Sequence, residues 1–398
     1  MEGILSQSKK RYIILLAGMI IQLCAGVIYM WAVFKDPVSA YLEKSPSDIA
    51  LVSSVMLASF VIGILFGGIL QDKYGPKSIA LLGSVVMSSG ILVTSLVTPN
   101  TASLIYLTYG VIGGLGVGIV YPCTITCVQK WFPDKRGFAT GAMVGAFGFS
   151  LVIFTPLATS LLEGMGVPDT FRTFGIIFMI VCVVSSLILT NPPAGFAAPG
   201  NVSKSEKKQY TPSEMVRTRE FYLISGSLFL VLPAFFILNP HLVTLATERG
   251  FTEYATMGVM ITGLFSALGR LLITWLSDRT GRVAAMVLIA VITAVGVFAL
   301  IVATGMMFLV CVAIISLAFG GASGTYAAVT ADHFGTENMG TNYGIVIMGF
   351  GASALLFPVV SNMISSPGDM TNAFLLAAAT CIAALVLVLM LKTSENKT

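Results

Sequence analysis

Arg270 is the residue whose type and position most demand a chemical explanation. It sits in Gly263-Leu-Phe-Ser-Ala-Leu-Gly-Arg270-Leu-Leu-Ile-Thr-Trp275, an apolar run with no other charge. A guanidinium stays protonated at any relevant pH and is costly in hydrocarbon, so it must face protein or water. Wound as a helix, the run puts Gly263, Ser266, Ala267, Arg270 and Thr274 on one face. Leu264, Leu268, Leu271, Leu272 and Trp275 cover the others. A small, polar stripe with one cation suits the wall of a cavity. Snorkelling is the competing explanation, but Asp278 lies roughly 12 Å further along at 1.5 Å per residue, which is far for an Arg side chain. Arg270 therefore reads as a buried anion site. Guanidinium and carboxylate match as a bidentate fork, so one such cation with a few hydrogen-bond donors suits a small carboxylate.

Other side chains could complete that site. Tyr29, Trp31, Tyr121 and Tyr326 carry a hydroxyl or indole N–H within apolar runs, and Asn239 adds an amide beside Pro240. Each could bond a substrate's second polar group. Aromatic residues also pack between helices and line membrane surfaces, so structural roles compete. His241, near the end of its run, is a candidate proton carrier. The Asn239-Pro240 pair signals a helix break there, which favours a structural histidine at a helix end. No Asp or Glu lies in the middle of any apolar run. Asp72 with Lys73, and Asp278 with Arg279 and Arg282, stand at run ends and read as gate latches. Cys24, Cys123, Cys127, Cys182, Cys311 and Cys381 all lie inside apolar runs and read as packing residues. No nucleotide loop, metal cluster or nucleophile–base pair is evident, so neither an enzyme nor a cofactor or metal is expected.

The elements that must position these residues are membrane spans. The 398 residues are 56% hydrophobic and 10% charged, with a mean hydropathy of +0.92, outside the soluble balance. Charges cluster between apolar stretches of about 20 residues, the length of a bilayer-crossing helix. The pattern gives an all-α protein of twelve spans: 11–34, 48–70, 77–97, 101–128, 137–162, 171–190, 220–244, 253–276, 282–303, 306–330, 340–363 and 371–392. The first is too long for a cleavable signal peptide and lacks a small-residue cleavage site. The polar stretch 191–219 divides the chain into bundles at 1–190 and 220–398 and reads as a cytoplasmic linker. With both termini inside, only Lys35, Lys44, Arg172 and Arg249 of the 22 basic residues fall outside, and Arg270 lies in the membrane. That asymmetry sets the topology. The net charge of +4 then reflects orientation, and nothing points to nucleic acid.

The two halves resemble each other. Leu70-Gln-Asp72-Lys-Tyr-Gly75 matches Leu276-Ser-Asp278-Arg-Thr-Gly281, Trp131-Phe132 matches His333-Phe334, and Asp36-Pro37 matches Asn239-Pro240. Ser47-Asp48 and Thr252-Glu253 stand alike before spans 2 and 8, as helix N-terminal residues. Six spans per half keep the orientation, so the repeat is parallel, with a substrate site expected between halves near mid-membrane. Gly110, Gly114 and Gly118, then Gly137, Gly141 and Gly145, then Gly320 and Gly324, follow the small-xxx-small spacing of close helix packing.

Gly68-Ile-Leu-Gln-Asp72-Lys-Tyr-Gly75-Pro-Lys77 and Asp278-Arg-Thr-Gly281-Arg282 resemble the signature loops of the major facilitator superfamily. More narrowly, Gly114-Leu-Gly-Val-Gly-Ile-Val-Tyr121, Trp131-Phe-Pro-Asp-Lys-Arg-Gly137 and Asn342-Tyr-Gly344 resemble the oxalate/formate antiporter family, whose bacterial members include monocarboxylate transporters. The resemblance runs through essentially all twelve spans. It implies Arg270 as the carboxylate ligand and a tyrosine at the position of Tyr121. Members that exchange oxalate carry a second cation, a Lys in span 11, where this chain has Phe350. They have a Tyr where it has Phe147. One cation balances one carboxylate, so the expected substrate is a monocarboxylate such as lactate, pyruvate, formate or acetate, not oxalate. Proton symport by alternating access is the first expectation and anion exchange the second, from a monomer in the cytoplasmic membrane of a prokaryote. A carboxylate-sensing membrane protein is a third reading, which the short termini disfavour.

Overall fold

The computed structural model describes residues 2–193, 208–248, 255–365 and 369–395. Residues 194–207 of the linker, with Lys204 and Lys207, lie outside the described residues, as do Arg249, Thr252-Glu253 and Lys397. The described residues form helices and no β-strand. In chain order they are α1 (Glu2–Ala25), a 3₁₀ turn (Gly26–Met30), α2 (Trp31–Leu42), α3 (Pro46–Tyr74), α4 (Pro76–Thr94), a short 3₁₀ turn in the following loop (Pro99–Thr101), a π-helix (Tyr106–Gly113) and α5 (Gly114–Trp131). Then come α6 (Arg136–Ile188), a single turn α7 (Pro212–Met215), α8 (Arg219–Val231), α9 (Pro233–Glu248), α10 (Ala255–Thr280) and α11 (Arg282–Val302). The last are α12 (Met306–Phe334), α13 (Met339–Val346), α14 (Met348–Ile364) and α15 (Thr371–Glu395).

Eleven described helical segments are long and apolar enough to cross a membrane. The 53 residues of α6 would stretch roughly 80 Å at 1.5 Å per residue, more than twice a hydrocarbon core, so α6 holds two spans. They meet at Gly166, whose φ of 76° and ψ of 179° interrupt the helix at a conformation only glycine adopts freely. The described residues thus hold twelve spans, as expected.

Two local readings are corrected. Asn239-Pro240 does not break its helix, because α9 runs through Pro240. The junction falls earlier, between α8 and α9, where Pro233 opens the new helix, a first-turn position whose missing N–H costs nothing. Span 2 starts before Ser47-Asp48. Ser45 is the cap, its hydroxyl accepting from the Asp48 N–H (3.1 Å), with Pro46 next in line.

The described chain packs as two units. One contains 1–134, 146–209 and 336–344, and the other contains 135–145, 210–335 and 345–398. In the first, α5 packs against α1, α3 and α4; in the second, α12 packs against α10 and α11, and α15 against α8 and α11. Large apolar side chains such as Phe66, Ile180, Val295 and Leu389 point outward, while Ser and Thr are buried, the reverse of a water-soluble core. Buried hydroxyls turn back on their own helices, as Thr94 does to Gly90 and Thr293 to Ile289.

Glycine sets the closest crossings. A Cβ on Gly269 would collide with the Leu317 carbonyl oxygen, and one on Gly320 with that of Ser266, so α10 and α12 touch backbone to backbone. Gly164, by contrast, has nothing within 4 Å of its absent Cβ. Gly320→Ala should therefore destabilise by at least about 2 kcal/mol through overpacking, whereas Gly164→Ala should stabilise by about 0.5–1 kcal/mol through helix propensity. Thermal unfolding of the detergent-solubilised variants checks both signs, and equal shifts would contradict the packing argument.

Candidate functional site

The α10–α12 crossing positions Arg270. The residue is only 3% exposed, and its Nη1 donates to the Val144 carbonyl at 3.3 Å. That carbonyl belongs to the first turns of α6, which reach α10 because Gly137, Gly141 and Gly145 present no side chain to Thr274, the Arg270 carbonyl and Leu271. The guanidinium carbon lies 6.0 Å from the centroid of the Phe319 ring. Phe319 is stacked on Phe235, with centroids 3.6 Å apart and planes 8° apart. Phe236 and Phe350 complete the wall, lying 5.7 and 5.9 Å from Phe319 and 5.2 Å from each other. A cation over aromatic rings gains from their quadrupoles, and a guanidinium can bind a carboxylate in its own plane while its face rests on a ring. Phe350 thus joins Arg270 through Phe319. The sequence reading missed Phe319, Phe235 and Phe236, since apolar rings in an apolar run carry no signal of their own.

Of the remaining candidates of this unit, Tyr326 shares a buried apolar cluster with Phe319, against which Phe235, Phe236 and Phe350 also pack. The Tyr326 hydroxyl donates to Ser227 at 3.0 Å inside an apolar cluster with Leu228, Ile289 and Val329. Asn239 is exposed and His241 half-buried, both on α9.

The residues expected to act as gate latches assemble tightly. Asp278, near the end of α10, accepts from the Gly137 and Phe138 backbone N–H groups, both at 2.8 Å, and thereby caps the start of α6. Arg282 pairs with Asp278 (2.8 Å) and Asp332 (2.7 Å) and bonds Ser277. Arg136 pairs with Asp332 from its other side. Arg279 lies 4.2 Å from the ring centroid of Trp275. The sequence reading missed Asp332 and Arg136 as members of this ion-pair network; a carboxylate in the last turn of a span was the available sign.

The other unit repeats the cap. Asp72, near the end of α3, accepts from the N–H groups of Gly340 (3.1 Å) and Thr341 (2.7 Å) and from the Thr341 hydroxyl (2.7 Å), and so caps α13. Lys73 is exposed, over the ring of Tyr74. Here too lies a four-ring group. Phe147 meets Tyr121 edge-on at 5.0 Å and Tyr29 at 5.4 Å, and Phe60 stacks on Phe147 at 6.3 Å. The fully buried Gln22 amide, overlooked in the sequence, donates to the Tyr121 carbonyl (2.9 Å) and to Thr124 (2.8 Å). Trp31 uses its indole N–H on the Ile49 carbonyl at 2.9 Å.

Residues 14–348 match the Major Facilitator Superfamily. The oxalate:formate antiporter of Oxalobacter formigenes is 28% identical over 383 residues, covering 94% of this chain and 90% of that protein. The uncharacterized MFS-type transporter YhjX of Escherichia coli (strain K12) is 24% identical over 351 residues, 87% of this chain and 86% of that one. Monocarboxylate transporter 1 of Rattus norvegicus is 29% identical over 239 residues, 59% of this chain and 47% of that protein. Two solved structures share the fold across 96% of this chain and 99% of their own. They are the transporter FucP of E. coli in the outward conformation (TM-score 0.75, 16% identity) and the human organic anion transporter MFSD10 (0.73, 15%). Its helices, signature loops and relatives agree: the chain belongs to the Major Facilitator Superfamily, as a multi-pass membrane transporter related to the oxalate:formate antiporter and the monocarboxylate transporters.

Proposed function

We propose that this transporter carries a small monocarboxylate across the cytoplasmic membrane of a prokaryote with a co-transported proton, and that Arg270 is the ligand for the carboxylate. The observation that carries the reading is a permanent cation, 3% exposed, resting on an aromatic wall within an apolar helix. One guanidinium compensates one carboxylate, and the rings beside it favour an apolar tail over a second charge. Phe350, on the same aromatic wall, is assigned to contact with the substrate's tail. The chain works by alternating access as a monomer of two bundles, 1–190 and 220–398, with both termini inside. The likeness to the oxalate:formate antiporter and the monocarboxylate transporters supports this substrate class. Anion exchange is the second reading, favoured by the antiporter's name. Bringing an anion into a negative-inside cell costs about 2.3 kcal/mol per 100 mV, which a proton or an outgoing anion offsets.

Arg270→Gln should abolish binding of lactate and formate while leaving folded protein in the membrane, and Arg270→Lys should also bind poorly because a point charge does not reproduce the fork. Calorimetric titration of the purified variants decides, and native-like binding by Arg270→Gln removes the assignment. In proteoliposomes with the potential clamped, uptake should accelerate as the outside is acidified. Uptake indifferent to pH but dependent on internal anion selects exchange, and a proton dependence retained in His241→Ala shows that His241 is not the carrier. The native protein should bind oxalate far more weakly than lactate, since its second carboxylate would stay uncompensated. Phe350→Lys should narrow that gap by weakening lactate binding and strengthening oxalate binding. Equal native affinity for both anions sinks the one-cation argument.

A further inference from the structure

Two departures from α-helical winding meet inside the first unit. The first membrane helix tightens to a 3₁₀ turn over Gly26–Met30, between α1 and α2. The fourth widens to a π-helix over Tyr106–Gly113 before resuming as α5. π-Helices are rare and mostly single-turn, so eight consecutive residues call for a cause. Glycine permits them. Gly110 packs against Val55, Gly114 lies on the Met56 carbonyl oxygen, and Gly90 of α4 has room for Gly113 and the Thr108 carbonyl only because it lacks a side chain. On the other helix, a Cβ on Gly26 would strike the Phe147 carbonyl oxygen and Ser150.

Tyr109 ties the two irregular segments together. Fully buried, it donates its hydroxyl to the Val27 carbonyl at 3.1 Å. A 3₁₀ turn leaves carbonyls poorly aligned with their own helix, so an acceptor from this segment is well used by an outside donor. The Tyr109 ring lies 4.7 Å from Trp31, which the Ile49 carbonyl holds through its indole N–H. One side chain of the wide segment thus bonds inside the tight one and packs on the first residue beyond it.

We infer that the 3₁₀ turn and the π-helix form one register-shifting hinge, clasped by Tyr109. A π turn holds one residue more than an α turn. Closing it to α winding, or passing it one turn along, rotates the residues between by about 100° and shifts them about 1.5 Å. Those residues lead directly into α5, which carries Tyr121 on the Phe147 ring and Thr124 on the Gln22 amide. Opening at Val27 moves the chain toward Tyr29, which meets Phe147 edge-on at 5.4 Å. The hinge therefore re-aims Tyr29 and Tyr121 together. Its bearing on substrate rests on the transport reading above; the mechanical coupling does not.

Hydrogen–deuterium exchange on the full-length protein in nanodiscs, without substrate, tests the coupling. Tyr109→Phe keeps the ring and removes the hydroxyl. Losing one buried hydrogen bond should speed exchange about fivefold in residues 26–30 and 106–113 together. Acceleration in only one segment, or in neither, overturns the hinge. A second variant tests its use. Deleting Ile112 lets the segment close as α-helix with α5 still in place, so the protein should fold with raised thermal stability and keep lactate binding while losing most of its uptake. Native-like uptake by a folded deletion variant overturns a role in transport. Arg270→Gln serves as the separate control: if it binds lactate normally, the substrate assignment fails while the exchange result still judges the hinge.

Discussion

Arg270 keeps its positive charge at every pH the protein meets, and a helix crossing hydrocarbon can hold such a group only if protein atoms replace water around it. Much of the second unit serves that constraint. Glycines at the crossing of α10 and α12 bring two backbones into contact, and glycines on α6 bring the Val144 carbonyl within reach of the guanidinium. The ring of Phe319, with Phe235 stacked on it, then gives the cation a polarizable surface. The aromatic wall thus stabilises the arginine within the span.

The two signature loops solve a different problem with one device. A helix start leaves backbone N–H groups without intrahelical partners, and inside a membrane protein those donors need acceptors. Asp72 supplies them for α13 and Asp278 for α6, each with both carboxylate oxygens engaged. The surroundings differ. The Thr341 hydroxyl supplements Asp72, whereas Arg282, Asp332 and Arg136 extend Asp278 into a chain of alternating charge. Neutral reinforcement follows side-chain packing, while alternating charges also depend on salt and on each partner's presence. The repeat is thus symmetrical in its caps and asymmetrical in what backs them.

Irregular winding is confined to particular places and has local causes. Gly166 turns α6 where the chain must reverse, and the 3₁₀ turn and π-helix lie where glycines allow backbones within contact distance. Pro240, which reads as a breaker, is carried within α9. In a membrane, a helix interrupted by proline keeps most of its hydrogen bonds, and unwinding would expose more groups than the one proline removes.

Hydrophobic run lengths, the repeat of the signature loops and the lone intramembrane arginine were all legible in the amino-acid order. Each is a property of a single helix or of its ends, and a bilayer imposes length and polarity on every span separately. The sequence therefore determined an all-helical membrane protein, its family and Arg270 as the group needing explanation. Tertiary structure alone decided what Arg270 touches. Phe319 and Phe235 are as apolar as their neighbours, and only the crossing of α10 with α12 brings Phe319 beneath the guanidinium. The same holds for the hydroxyls of Tyr326 and Tyr109, which go to Ser227 and to the Val27 carbonyl. A side chain's type limits which bonds it can make, but its partner is fixed by the meeting of two helices distant in sequence, which no local pattern records.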